Sequence, residues 1–179
     1  ICKSENIQDK KKIESKHNEI NLVFSLKKCL DCRHRYLSKF PTEKNLEELY
    51  KNNSKYVFGH ELDEEYEKNR FKDGGFKSVL PFNEHWIFNF ININQAGEYF
   101  EIGPGLCRLY KTFYEKNWHC EGLDLQPFIK APGIIDGLEK IKDNSKDVAV
   151  ALDVIEHTIN PNKFLREINN KLKIDGQVF

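Results

Sequence analysis

Methionine is absent from the 179 residues, and no run of about 18 apolar residues offers a membrane-spanning helix. The opening "ICKSENIQDK" has no apolar core of the kind a secretory signal needs. Charge of one sign is not in excess: 28 basic residues face 28 acidic ones, so no polycationic surface points to a nucleic acid. Internal repeats and low-complexity linkers are missing too. These absences argue for a cytoplasmic protein with no membrane partner, and they give a nucleic-acid partner no support. In a reducing compartment the five cysteines are expected to bind metal or lie buried rather than pair. The missing methionine, and the apolar strand that begins in "KIDGQVF" and breaks off, lead us to expect sequence beyond both ends.

Against that background, the C-terminal half shows a regular alternation. "EYFEIG" reads as a strand and "GLCRLYKTFYEKN" as a helix, with Leu106, Leu109, Tyr110 and Phe113 at helical spacing. "WHCEGLDL" reads as a second strand and "PGIID" as a short third. "KDVAVALDV" is almost continuously apolar, as in a strand buried on both faces. "NPNKFLREINNKLK" is a helix with Phe164, Leu165, Ile168 and Leu172 on one side. Strands alternating with helices predict an α/β fold with a parallel, Rossmann-like sheet and helices on both faces.

The first strand ends in "EIGPG". Parallel sheets bind ligands at the carboxyl ends of their strands, and a helix N-terminus offers free amides there. Gly103 and Gly105 lack a Cβ, so the turn can bend sharply and a ligand can approach the backbone. Asp124 ends the next strand, where a carboxylate can accept from both hydroxyls of a ribose. Dinucleotides and S-adenosylmethionine both use such an arrangement. The dinucleotide fingerprint asks for a third glycine at position 108, which is Arg108.

"FEIGPGLCRL", "EGLDL" and "VALDVIEHTINPNKFLREINNKLKIDGQVF" resemble the successive motifs of class I S-adenosylmethionine-dependent methyltransferases. The likeness runs from about residue 97 to 179 and is nearest to the small-molecule group whose fourth strand ends in D-x-x-E-H. It implies S-adenosylmethionine as cofactor and methyl transfer to O, N or C of a small-molecule acceptor. It also implies roles. Glu101 would orient the glycine loop near the methionine amino group, and Gly103 and Gly105 would pass beneath the methionine and ribose. Asp124 would hold the ribose hydroxyls, Asp136 the adenine amino group, and Asp153 would stand beside the sulfonium. Cys107 departs from the pattern, which commonly has glycine there. His157 is either a general base near the acceptor or a brace of the loop after the fourth strand. A nicotinamide-dependent oxidoreductase and a non-catalytic interaction protein are the competing classes.

Residues 1–40 carry Cys29-x-x-Cys32 and the isolated Cys2. Two thiolates at that spacing can hold one tetrahedral zinc ion, with a second knuckle completing it. The pattern, continued by "FPTEKNLEELY", resembles the zinc ribbon that precedes some methyltransferases of this group. That implies a structural zinc on Cys2, Cys29 and Cys32, with "NLVFSL" as one strand of the hairpin between the knuckles; three unrelated thiols are the alternative. The organisation expected is a zinc-ribbon-like module over 1–40, a helical linker or cap over 41–95, and a partial cofactor-binding domain over 96–179.

Overall fold

The computed structural model describes residues 3–17, 20–38, 42, 44, 75–125, 127 and 129–179. Most of "PTEKNLEELYKNN", expected as a helix, lies outside the described residues, as does Cys2. Contacts divide the chain into two units, 1–46 and 47–179.

The first unit is a three-stranded antiparallel sheet of β1 (Ile7–His17), β2 (Ile20–Cys29) and β3 (Arg35–Leu37). Ile7 pairs with Cys29 and His17 with Ile20, with a bulge between Asp9 and Lys11. "NLVFSL" lies within β2, as expected. Its partner β1 is a surprise, because the lysine-rich "IQDKKKIESKH" has little of the apolar alternation that marks a strand. A long register with β2 holds it instead. Asp31, in the turn after β2, accepts from the hydroxyl of Ser4 and from Asn6 Nδ2 at 2.9 Å. The amide of Leu30 donates to the Asn6 carbonyl at 2.9 Å. The segment before β1 is thereby pinned to the Cys29–Cys32 turn.

The second unit is a five-stranded, wholly parallel sheet. Its strands are β4 (Glu98–Ile102), β5 (His119–Leu123), β6 (Ile134–Ile135), β7 (Lys146–Val150) and β8 (Leu172–Val178), in the order β6-β5-β4-β7-β8. Helix α1 (Arg108–Glu115) follows β4, and α2 (Pro161–Lys171) precedes β8. Successive residues of β4 point to opposite faces. Tyr99 joins Leu109, Tyr110 and Phe113 of α1 in one core, while Phe100 and Ile102 join Ile168 and Leu172 in the other. The two helices therefore cover opposite faces, as the alternation predicted.

Helix α2 starts on a clear local signal: Asn160 Oδ1 accepts from the Lys163 amide at 3.0 Å, and Pro161 occupies the first turn. Leu165, expected on its buried side, is 43% exposed. Helix α1 is more deeply covered. Lys111 and Thr112, which the helical pattern places away from the sheet, are buried too, because residues 75–93 wrap over them. Lys111 Nζ donates to the carbonyls of Phe76 and Lys77 at 3.1 and 2.7 Å, and Thr112 Oγ1 to that of Phe82 at 2.8 Å. Phe76, Phe82, Ile87 and Phe88 seal this layer against the core. Among the described residues no helix is long and apolar enough to cross a membrane.

Candidate functional site

In this strand order β4 is the centre, with β5 on one side and β7 on the other. The chain leaves β4 at the point where the order reverses, and such a switch point opens a crevice at the carboxyl ends of the strands. Into it runs the turn 103–107. Its backbone explains the glycines. Gly103 has φ of 64° and Gly105 of 49°, both left-handed, which side chains resist and glycine does not. A Cβ on Gly103 would also stand 3.0 Å from Val154 Cγ2. The Gly103 amide donates to the Leu123 carbonyl at 2.8 Å and that of Cys107 to the Pro104 carbonyl at 2.7 Å. The turn is thus tied to the end of β5 and closed on itself.

Cys107 is itself left-handed, with φ of 54°, and buried. Glycine adopts that conformation far more readily than a residue with a Cβ, and α1 begins only after it. Arg108, standing where a third glycine would mark a dinucleotide site, has its guanidinium 3.8 Å above the Phe82 ring, and Nε donates to the Leu80 carbonyl at 3.1 Å. Its side chain fastens the covering segment to the start of α1.

Glu101 is buried on the α1 face of β4. Burial pushes its carboxyl up to about 7, against the pull of hydrogen bonds from the Tyr99 hydroxyl and the Tyr110 backbone amide. The Tyr99 bond is 2.8 Å. The Tyr110 amide belongs to the first turn of α1, so Glu101 satisfies one of the donors a helix start leaves open. Tyr99 was not anticipated as a partner, although its place two residues before Glu101 on one strand face was the available signal.

The other expected residues lie at or beyond the carboxyl ends of the strands. Asp124 directly follows β5, half-buried, its amide donating to the Ile135 carbonyl at 3.3 Å. Asp153 follows β7 with a left-handed φ of 55° and is exposed. Asp136 directly follows β6; it is exposed and paired with Lys140, whose ammonium is the main cause of its carboxyl lying below the ordinary range. His157 ends the short 3-10 helix Ile155–His157 and is exposed. A cavity of about 370 Å³ lies elsewhere, lined by Gly97, Trp118 and Asp147 near the amino ends of the strands.

In the first unit, Cys29 is buried and Cys32 exposed. Among the described residues no group of three or more His, Cys, Asp and Glu is placed to hold a metal. The described part of the expected zinc set is therefore two thiols, and Cys2 lies outside the described residues.

The second unit is a doubly wound parallel sheet with a glycine turn at its switch point, an arrangement that commonly holds nucleotide cofactors. Within it, residues 100–179 match the family model described as a methyltransferase domain. The match takes in the glycine turn and strands β5 to β8. No curated protein matches the chain. Among solved structures, the chain is similar to a protein from Methanococcus maripaludis described provisionally as an S-adenosyl-L-methionine-dependent methyltransferase. The identity is 21%, over 63% of this chain and 60% of that one, with a TM-score of 0.43.

Proposed function

We propose that the second unit binds S-adenosylmethionine across the carboxyl ends of β4, β5 and β7 and transfers its methyl group to a small-molecule acceptor. The observation that carries this reading is the match of residues 100–179 to a methyltransferase domain, whose first motif falls on the left-handed turn at Gly103. The donor set fits the ligand. Bare backbone at Gly103 and Gly105 leaves room for the methionine and ribose, and the Asp124 carboxylate can accept from ribose hydroxyls. Glu101 orders the turn by holding the first turn of α1. Asp136, directly after β6, would lie on the adenine side, and Asp153, three residues after β7, on the sulfonium side. The cofactor supplies an already activated methyl group, so the protein's task is to place a nucleophile in line with it. His157 would hold or take the acceptor's proton at an imidazole nitrogen.

Calorimetric titration with S-adenosylhomocysteine and with NAD tests the cofactor. Micromolar binding of the first and none of the second is expected; the reverse would return the oxidoreductase reading. Transfer of labelled methyl to a metabolite pool then separates an enzyme from a non-catalytic binder.

For the first unit, the finer reading is a structural zinc on Cys2, Cys29 and Cys32. Its support is the pinning of Ser4 and Asn6 to Asp31, between the two cysteines. Two described thiols do not make a closed site, which needs four donors. Metal analysis of the full chain should give about one zinc per chain, lost in Cys29→Ser; a metal-free, folded protein would end the proposal.

A further inference from the structure

Tyr110 stands out among the buried groups that the cofactor reading leaves without a task. It is wholly buried in the first turn of α1. Its backbone amide serves Glu101. Its ring lies on β5: a Cβ on Gly122 would stand 3.1 Å from Tyr110 Cε2 and 2.6 Å from Ile134 Cδ1. Its hydroxyl reaches past the strand, to the Cys120 carbonyl at 2.8 Å and the Pro132 carbonyl at 2.5 Å. A phenol has one proton, so the two carbonyls share it. Beyond them, Gly133 is left-handed with φ of 78°, and a Cβ there would stand 2.3 Å from the Cys120 oxygen and 2.8 Å from the Tyr110 hydroxyl. Two glycines thus make room for one phenol, one beside its ring and one beside its oxygen.

The elements joined in this way matter to the site. The connection from β5 to β6 begins at Asp124 and leads to Asp136. Strand β6 has only two residues, paired as Gly122 with Ile134 and Leu123 with Ile135. A ladder that short fixes its strand weakly, since stable sheets draw on longer pairings. The Tyr110 hydroxyl supplies a further anchor one residue before Gly133.

We propose that Tyr110 is a positioning residue: by clamping the β5–β6 connection to β5 and α1, it sets the place of Asp136 and with it the preference for adenine. The inference rests on the cofactor reading above and goes beyond it, because it assigns base selectivity to a residue that faces the core.

The test is calorimetric titration of the full chain with S-adenosylhomocysteine and with S-inosylhomocysteine, in which a carbonyl oxygen replaces the adenine amino group. For the wild type, the adenosyl ligand should bind about tenfold tighter, the worth of one good hydrogen bond. Tyr110→Phe keeps the ring in place and removes the clamp. Its affinity for S-adenosylhomocysteine should fall about tenfold and its preference between the two ligands should shrink toward unity. Gly133→Ala, which pushes the connection off the hydroxyl from the other side, should lose the preference in the same way and stands in if Tyr110→Phe does not fold. A purely structural role would lower the melting temperature yet leave the ligand ratio unchanged, and that result would overturn the proposal. If the wild type binds neither ligand, the cofactor reading falls and this inference with it. Wild-type preference retained in both folded variants sinks the inference alone.

Discussion

Glu98 and Glu101 sit three residues apart on β4, at opposite ends of one strand, and their surroundings differ in kind. At the amino end, Glu98 receives Lys146 Nζ at 2.9 Å and faces His119 Nδ1 at 2.7 Å. Burial would raise its carboxyl, but Lys146 and His119 outweigh that and hold it below the ordinary range. Lys146 also meets Glu121, and Asp147 beside it takes Lys173 at 2.9 Å and the Glu98 amide at 2.8 Å. Charges there close on one another. At the carboxyl end, Glu101 meets a phenol and an amide, and burial raises it. Asp124 and Asp153 bring more negative charge just beyond the neighbouring strands β5 and β7. A buried charge that is paired serves the fold. A row of acids at strand ends is suited to a ligand with hydroxyls and positive charge, which the proposed cofactor has.

The largest effect should come from breaking the balanced end. Lys146 has a side chain only 2% exposed and holds two carboxylates. Lys146→Met should cost about 3 kcal/mol of stability, because it leaves both carboxylates without their cation in a partly buried place. Urea denaturation measures it. Adding Glu121→Gln to that variant should recover part of the loss. Affinity for S-adenosylhomocysteine, measured well below the midpoint, should stay unchanged, since the cluster is at the other end of the sheet.

Glu101 sharpens the same contrast through pH. Its folded pKa of about 7 exceeds the ordinary 4.5. The folded state therefore binds this proton more tightly than the unfolded one. Its stabilising contribution is complete below about pH 4.5 and lost as pH rises through about 7. Glu101→Gln does not titrate, so its stability relative to wild type should improve from pH 5 to pH 8. At about 1.4 kcal/mol per pKa unit the change should be about 2–3 kcal/mol. A constant difference across that range would mean that Glu101 is ionised throughout.

The two ends also differ in how plainly the sequence announces them. The alternation of Tyr99, Phe100, Glu101 and Ile102 shows a strand buried on both faces, and both helices follow from their apolar spacing. The glycine turn and Asp124 are local in sequence, so their places at the strand ends could be read. Their limits could not. A helix expected from Gly105 begins at Arg108, because Gly105 and Cys107 turn left-handed. A strand expected through Val154 ends at Val150, and the chain turns through left-handed Asp153. Long-range partners are silent in periodicity. Nothing near Lys146 announces Glu98, 48 residues away, and nothing near Tyr110 announces Pro132. The strand β1 hides for a related reason: its lysines are set by solvent, while its pairing is set by β2.

The third expected effect is on the ligand alone. Asp124→Ala should weaken S-adenosylhomocysteine by about 2 kcal/mol, the cost of losing charged hydrogen bonds, with little change in the unfolding midpoint. Unchanged affinity in a folded variant would remove Asp124 from the site and leave the row of acids without its proposed purpose.

The smallest effect should fall on Asp136, which separates the two kinds of end within one residue. It is exposed and paired with Lys140 four residues on, so part of its charge is answered as at the amino end. Exposed pairs of this spacing add little to stability, and Asp136→Asn should leave the melting temperature unmoved. The amide keeps an acceptor oxygen of nearly the same shape. It can still accept from an adenine amino group, so affinity for S-adenosylhomocysteine should fall only about fivefold, because a bond to a charged acceptor exceeds one to a neutral acceptor by about 1 kcal/mol. Asp136→Leu removes the acceptor altogether and should lower that affinity further while sparing S-inosylhomocysteine, which has no amino group to offer. Equal losses for the two ligands would place Asp136 with the balanced charges of the fold rather than with the acids proposed to face the cofactor.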